Sequence, residues 1–275
     1  MKVTLTTNGH TQDNFIYTGG KAWVDGQPTA VMIHGVLNDH SVWILQSRYL
    51  AHHGYNVLAL DLPGHGQSTG APPATVEAAA AHIWSLLDAL KIEKAALIGH
   101  SFGALIALQA AADRPAACTH LGLVGIAYPM RVSPVLLELS QSDPLKAIDM
   151  VNTFSHSTLA PPPSALGPGT WLYGAARALM RRILRSNRTD NVFHIGFNAC
   201  NQYTGGETAI GVVTQHAIKT RFVLANSDQM TPPKATKSLT SLAPHATTAM
   251  VHGGHQLMLE APEETLRAIA DFLTV

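Results

Sequence analysis

Gly99-His100-Ser101-Phe102-Gly103 is the stretch that decides the fold of this chain of 275 residues. The apolar run 94–98 precedes it and suits a buried strand, and the Ala- and Leu-rich run 104–112 follows it and suits a helix. A G-x-S-x-G serine needs this context of strand, sharp turn and helix, because the turn exposes the side chain beyond the end of the strand. The sequence therefore predicts that Ser101 is a nucleophile.

Composition limits both the class of protein and its partners. Hydrophobic residues make up 46% of the chain and charged residues 13%, which provides a large core and excludes disorder. The formal net charge is zero, so we expect neither a nucleic acid nor a membrane as a partner. No apolar run reaches the roughly 18 residues of a membrane span, and the first nine residues lack the apolar core of a signal peptide.

The cysteines and histidines argue against a disulfide framework and a metal site. Cys118 and Cys200 are the only two cysteines, which is typical of a reducing compartment and predicts a cytoplasmic protein. The 15 histidines are scattered and form no H-E-x-x-H motif or Cys/His cluster. We therefore predict a protein that uses no metal and no cofactor.

Apolar runs of strand length alternate with helical stretches along most of the chain. The predicted strands are 30–33, 56–60, 94–98, 120–126, 220–225 and 246–251, and the predicted helices are 41–53, 74–90, 104–112 and 262–273. Such alternation is typical of an α/β protein, and continuously apolar strands are buried on both faces. We predict a mostly parallel central sheet with helices on both faces.

The alternation stops between residues 128 and 216, where no strand pattern is visible. A structureless loop of this length is improbable in a compact domain. The sequence therefore predicts a core domain formed by 1–127 and 217–275 and an inserted helical cap formed by 128–216.

Two further residues follow the last strands and complete a catalytic set. A serine hydroxyl needs a base to take its proton and an acid to orient that base. His255 follows the strand 246–251, and Asp228 follows the strand 220–225. The order Ser101, Asp228, His255 is the one expected of a G-x-S-x-G serine on this architecture.

Other residues near these positions are weaker candidates. His252 is nearer the strand end than His255 and has a shorter reach, and His100 points away from its neighbour Ser101 in the predicted turn. Asp61 is the alternative acid, but the glycines and proline of the loop 61–68 indicate a role in shaping that loop. Glu260 begins the last helix and is interpreted as a cap.

An acyl transfer also needs two backbone N–H donors for the carbonyl oxygen that becomes negative. Phe102 follows the nucleophile at a helix N-terminus and is predicted as the first donor. Val36, in the loop after strand 30–33, is predicted as the second, with Leu37 as the alternative. The residues predicted to line the substrate pocket are His34, Leu37, His100, Leu159, Trp171, Phe197, Met230 and Gln256.

These motifs together resemble the α/β-hydrolase family, in its capped, esterase-like branch. The resemblance covers nearly the whole chain and includes His34-Gly35, the loop 61–68, the Ser101 motif, Asp228 and Gly254-His255. Family dehalogenases and epoxide hydrolases carry an aspartate where this chain has Ser101. Family carbon–carbon hydrolases typically carry a tryptophan where this chain has Gln256, and the few acids of 128–216 argue against a peptidase.

The resemblance implies a serine hydrolase that acts on a carboxylic ester, thioester or lactone through an acyl-enzyme, with a small molecule as its substrate. The alternatives are a carbon–carbon bond hydrolase, a cofactor-free perhydrolase or acyltransferase on the same residues, and a ligand receptor without enzymatic activity. The sequence leaves the natural substrate and the oligomeric state open.

Overall fold

A computed structural model describes residues 1–7, 10–158 and 171–274, and an eight-stranded sheet forms its centre. In chain order the strands are β1 (Lys2–Thr7), β2 (His10–Tyr17), β3 (Thr29–Ile33), β4 (Asn56–Leu60), β5 (Ala95–His100), β6 (Cys118–Val124), β7 (Lys219–Ala225) and β8 (Thr247–Val251). Their order across the sheet is β1-β2-β4-β3-β5-β6-β7-β8. Strand β2 pairs antiparallel with β1 and β4, and the other pairs are parallel. The predicted mostly parallel sheet is confirmed.

Helices follow most of the strands. They are α1 (Ile44–His52), α2 (Val76–Ala89), α3 (Phe102–Asp113), α4 (Pro134–Ser142), α5 (Pro144–Ser155), α6 (Leu172–Ser186), α7 (Val192–Gln202), α8 (Gly206–Gln215), α9 (Lys237–Leu242), α10 (Leu257–Glu260) and α11 (Pro262–Leu273). The helix predicted at 41–53 is a 3-10 turn, His40–Trp43, followed by α1.

Helices cover both faces of the sheet, because alternate residues of each buried strand point to opposite sides. In β3, Val31 and Ile33 pack into the cluster that contains α2 and α3. Ala30 and Met32 of the same strand pack into the cluster that contains α1 and α11. The predicted coverage of both faces is therefore confirmed.

The edge hairpin β1–β2 is a feature that the strand pattern did not predict. In β1 the apolar residues Val3 and Leu5 alternate with the exposed residues Lys2, Thr4 and Thr6. This strand has one exposed face and lacks the continuous apolar run by which the central strands were found.

Five helices, α4 to α8, connect β6 to β7, and the described residues of this connection contain no strand. Helices α4 to α7 share a hydrophobic cluster that includes Ile148, Ile183 and Phe193, and Leu37 from the loop after β3 packs into it. The proline-rich stretch of this connection and Leu159 lie outside the described residues. The division into a core domain and a cap of 128–216 stays a prediction.

Candidate active site

Ser101 lies in a sharp turn between the end of β5 and the start of α3. Its φ of 55° and ψ of −118° belong to a backbone region that residues other than glycine rarely adopt. The hydrogen bond from Ser101 N to Val124 O, 2.9 Å long, ties this turn to β6. A Cβ atom at Gly99 would overlap the carbonyl oxygen of Gly103, and one at Gly103 would overlap that of Ile33. The two glycines of the motif therefore allow helix and strand to approach closely around the serine.

The structure brings Ser101, His255 and Asp228 together at the carboxyl ends of β5, β7 and β8. His255 Nε2 lies 3.0 Å from Ser101 Oγ, and His255 Nδ1 lies 2.9 Å from Asp228 Oδ2. The histidine and the aspartate are both buried. Both distances are within hydrogen-bonding range, so a continuous chain of hydrogen bonds joins the carboxylate to the hydroxyl.

The state of Asp228 determines which nitrogen of His255 carries the proton. Burial alone would raise the pKa of Asp228, but the charge of His255 and hydrogen bonds from His255 and Thr231 lower the pKa to about 2. The backbone N–H groups of Met230 and Thr231 donate to Asp228 Oδ1 over 2.9 and 2.7 Å. The carboxylate is therefore ionised and only accepts hydrogen bonds. Nδ1 of His255 must donate to it, which leaves Nε2 to accept the proton of Ser101.

His100 supports the backbone of His255 without contributing a charge. Burial, and to a smaller extent the charge of His255, lowers the pKa of His100 to about 3. The imidazole is consequently neutral at physiological pH. Its Nε2–H donates to the carbonyl oxygen of His255 over 2.9 Å, which fixes the loop that presents the base.

The weaker candidates for base and acid have other contacts. His252 is exposed and pairs with a carboxylate of α11. Asp61 accepts hydrogen bonds from His40 Nδ1 over 2.7 Å and from Gln67 N over 2.8 Å, and thereby shapes its own loop. Glu260 accepts a hydrogen bond of 2.6 Å from Gly254 N, which fixes the backbone directly before His255.

Two turns place backbone donors near Ser101. Phe102 is the first residue of α3, and its N–H has no acceptor within the helix. On the other side, a hydrogen bond of 3.3 Å from Asn38 N to Gly35 O closes a turn whose central residues are Val36 and Leu37. Leu37 has a φ of 56°, an uncommon value for a leucine. The hydrogen bond that closes this turn uses the N–H of neither Val36 nor Leu37, so each of the two predicted alternatives for the second donor keeps an N–H that the turn does not use.

Two cavities meet at the serine. One has a volume of about 290 Å³ and the other of about 30 Å³, and Ser101 and His255 line both. Phe197 and Met230 also line both. Predicted pocket residues that line only the narrow cavity are Leu37, His100 and Gln256.

Two predicted pocket residues, His34 and Trp171, are not found there, and a third cannot be located among the described residues. His34 is buried below the site, where Nδ1 donates to Gly35 O over 2.7 Å and Nε2 accepts from Leu62 N over 3.0 Å, and it lines neither cavity. Trp171 is 59% exposed and stacks on Tyr173 with 5.7 Å between ring centroids, and it also lines neither cavity. Leu159 lies outside the described residues.

Thr231 and Arg131 are among the residues at the site that were not predicted. Thr231 contacts Asp228, and Arg131 lines the larger cavity. The signal for Thr231 was its position three residues after the acid, where a hydroxyl can reach back to the carboxylate. No local signal marked Arg131, because its location depends on how the connection from β6 folds back over the sheet.

Within the part of the chain that the structure describes, Asp39, His40 and Asp61 form a group whose ligand atoms lie within 4.8 Å of one another. Arg182 donates to Asp39 Oδ2 over 2.7 Å, and His40 donates to Asp61. Protein donors thus already engage the oxygens that a cation would need. None of the described helices has the length and apolarity that a membrane crossing requires.

Comparison with known proteins places this chain in a family. The magnesium-chelatase 30 kDa subunit of Rhodobacter capsulatus is 27% identical over 260 residues, which are 90% of this chain and 87% of that protein. The enol-lactonase of Burkholderia xenovorans LB400 has a similar structure, with a TM-score of 0.79, 18% identity and coverage of 99% of this chain and 100% of that one. An esterase of Exiguobacterium antarcticum has a TM-score of 0.81 at 17% identity, and each chain is covered completely. The model of the alpha/beta hydrolase fold family matches residues 28–262, and the chain belongs to this family.

Proposed function

We propose that this protein is a serine hydrolase that cleaves a carboxylic ester, thioester or lactone through an acyl-enzyme. The observation that carries the proposal is the pair of hydrogen bonds from Ser101 to His255, 3.0 Å, and from His255 to Asp228, 2.9 Å. A buried carboxylate that fixes the tautomer of an imidazole, which in turn faces a serine hydroxyl, is the arrangement that activates serine for acyl transfer.

The reaction proceeds in two halves. Ser101 Oγ attacks the carbonyl carbon while His255 Nε2 takes the hydroxyl proton, and the carbonyl oxygen becomes an oxyanion. The N–H of Phe102 and the N–H of Val36 or Leu37 stabilise that charge. The tetrahedral intermediate collapses when His255 returns the proton to the leaving oxygen or sulfur, which leaves Ser101 acylated. Water then repeats the sequence with His255 as base and releases the acid.

The two cavities favour a small and unsymmetrical substrate. A volume of about 290 Å³ is at the lower end of the range for ligand sites. A volume of about 30 Å³ admits a substituent of only one or two heavy atoms, by comparison with the ~10–15 Å³ that one water needs. The fold that this chain shares with an esterase and an enol-lactonase agrees with hydrolysis at a carboxyl carbon.

We further propose that the helices of 128–216 act as a cap that determines substrate choice. Leu136 of α4, Met150 of α5 and Phe197 of α7 line the larger cavity together with Ser101. A cover of this kind excludes water and presents apolar walls to the substrate. The sheet then supplies the chemistry, and the inserted helices supply the shape of the pocket.

The proposal is tested by active-site labelling and turnover on the purified protein. A fluorophosphonate probe should label the wild type stoichiometrically and leave Ser101→Ala unlabelled. A panel of p-nitrophenyl esters of increasing chain length, thioesters and lactones should then reveal multiple turnovers that Ser101→Ala lacks. Labelling without turnover on any member of the panel would support the receptor alternative, and labelling of Ser101→Ala would contradict the proposal.

A further inference from the structure

The larger cavity contains one side chain that hydrolysis of a neutral ester does not require. Apart from Arg131 and the base His255, its lining consists of apolar and uncharged polar residues, and the described lining contains no carboxylate. An arginine in such surroundings is the single permanent charge that a substrate in this cavity meets. Since the guanidinium stays protonated at all physiological pH values, this charge is constant.

Arg131 has no partner within the described parts of the chain. None of the ion pairs found there involves Arg131, and its guanidinium donates no side-chain hydrogen bond there. Three arginines of α6 differ in this respect: Arg177 pairs with Asp149 over 2.5 Å, Arg181 lies 3.7 Å from the same carboxylate, and Arg182 pairs with Asp39 over 2.7 Å. All five N–H donors of Arg131 are thus available to a ligand.

The backbone on both sides of Arg131 is fixed, although its side chain is exposed. Asn201 Oδ1 of α7 accepts a hydrogen bond of 3.2 Å from Val132 N. On the other side, Tyr128 N donates to Ala235 O over 3.0 Å. The Cα atom of Arg131 is therefore held at the cavity by two separate segments, and only the side chain needs to move when a ligand binds. A prearranged backbone reduces the entropy that binding costs.

We infer that Arg131 is a specificity-determining residue that binds a carboxylate on the substrate, in the part of the substrate that occupies the larger cavity. The inference rests on the proposed hydrolase function and specifies its substrate class as a monoester, thioester or lactone that carries a second, ionised carboxyl group. A guanidinium matches a carboxylate with two parallel N–H···O bonds.

The test compares matched pairs of esters that differ only in this charge. On the acyl side, the mono-p-nitrophenyl ester of adipic acid is compared with its methyl p-nitrophenyl diester. On the alcohol side, 4-acetoxybutyrate is compared with its methyl ester. In the wild type we expect kcat/KM to favour the anionic member of at least one pair. In Arg131→Gln the ratio of kcat/KM between the anionic and the neutral member should fall about tenfold, the order expected for a charged hydrogen bond at a partly exposed site.

Arg185→Gln is the matched control, because Arg185 is also exposed and lines neither cavity at Ser101. It should leave the preference of the wild type unchanged, and Arg131→Lys should retain part of it. A preference that stays within twofold of the wild type in Arg131→Gln, for both pairs, would overturn the inference and leave the hydrolase proposal intact.

A binding measurement separates the inference from the proposed function. Titration calorimetry of adipate into Ser101→Ala should detect binding, and the double variant Ser101→Ala, Arg131→Gln should bind at least about tenfold more weakly. Equal affinity in the two proteins would overturn the inference. If no ester is hydrolysed but this difference in adipate affinity is found, the proposed chemistry fails and the carboxylate site stands.

Discussion

The hydroxyl oxygen of Thr231, Oγ1, lies 2.7 Å from Oδ2 of Asp228 and 3.0 Å from Nδ1 of His255. The carbonyl oxygen of Gly125 is a further neighbour at 2.9 Å. Thr231 Oγ1 has one proton to donate, to the carboxylate or to the carbonyl, and its lone pairs face the N–H of the imidazole. Thr231 thus contacts the acid and the base at once, which makes it a candidate positioning residue.

Thr231→Val should lower kcat about tenfold and leave KM near the wild-type value. Valine is similar in shape to threonine, but it cannot donate to Asp228 or accept from His255. The loss of one hydrogen bond to a charged group is sufficient for an effect of this size. Thr231→Ser restores the hydroxyl and should remain within about twofold of the wild type. Steady-state kinetics with a p-nitrophenyl ester measure both constants, and a Thr231→Val enzyme with wild-type kcat would show that the hydroxyl has no role.

The losses in kcat that follow from substitutions of the three proposed catalytic residues should not be additive. Ser101→Ala is expected to lower kcat by a factor on the order of a million, and a second change, His255→Ala, should lower it little further. Asp228→Asn should cost about ten-thousandfold, by analogy with the same change in a serine protease. Single-turnover rates of the single and double variants test this expectation.

Asp61→Asn is the control for the acid. Because Asp61 bonds to His40 and to the backbone of its own loop, the change should lower the melting temperature and largely preserve kcat. A larger loss of activity in Asp61→Asn than in Asp228→Asn would mean that Asp228 is not the catalytic acid.

Acid should begin to destabilise the protein at a pH above the usual range in which carboxylates become protonated. Burial, with a smaller contribution from the charge of His34, lowers the pKa of His65 from 6.5 to about 3. The unfolded chain therefore binds a proton at His65 below pH 6.5 and the folded chain does not, so stability falls as the pH decreases from 6.5 toward 3. One such group contributes a slope of up to about 1.4 kcal/mol per pH unit.

Urea unfolding of the wild type and of His65→Gln at pH 8 and pH 5 measures this slope. At pH 8 the histidine is neutral in both states, so the difference between the proteins there reports packing alone. The free energy of unfolding should fall less between the two pH values in His65→Gln than in the wild type. Equal losses would show that His65 does not contribute to acid sensitivity.

Phe197→Ala should shift the preference of the enzyme toward longer substrates. Phe197 lines both cavities, so we expect its removal to join them into one larger space. Phe272 in α11 provides a matched control, because both phenylalanines are 7% exposed and Phe272 lines neither cavity. Both changes should lower stability by about 3–5 kcal/mol, but only Phe197→Ala should alter the ratio of kcat/KM values between C2 and C8 esters. The same shift in Phe272→Ala would point to general loosening of the fold.

The sequence predicts those parts of the fold that depend on local pattern. Strand β4 was predicted at 56–60 and α11 at 262–273, and both are found with these bounds, because continuous apolar runs and a helix-starting proline are local signals. The hairpin β1–β2 has one exposed face and pairs with β4 through Ile16 and Leu60. No feature of residues 2–17 alone specifies such a partner.

The residues of the site also differ in whether the sequence alone could predict their positions. Ser101, Asp228 and His255 each follow a strand whose end is visible in the sequence, so their meeting could be predicted from the rule that parallel strands end at one edge. The pocket walls come from the connection between β6 and β7, and their location depends on packing between helices. Trp171 was therefore expected in the pocket and is found on the surface, whereas Arg131 was not expected and lines the larger cavity.

The hydrogen bond between Ser101 and His255 joins residues that are 154 positions apart in the chain. During synthesis the serine leaves the ribosome long before its base has been made, and a serine hydroxyl without a base is a poor nucleophile. His255 follows β8, which pairs with β7 at the far edge of the sheet, so we expect the proposed base to reach the serine only when β8 has docked. Under the proposed function, a chain that lacks β8 and His255 should not hydrolyse esters, and recovery of turnover in a refolding experiment should report the docking of the last strand instead of the initial collapse.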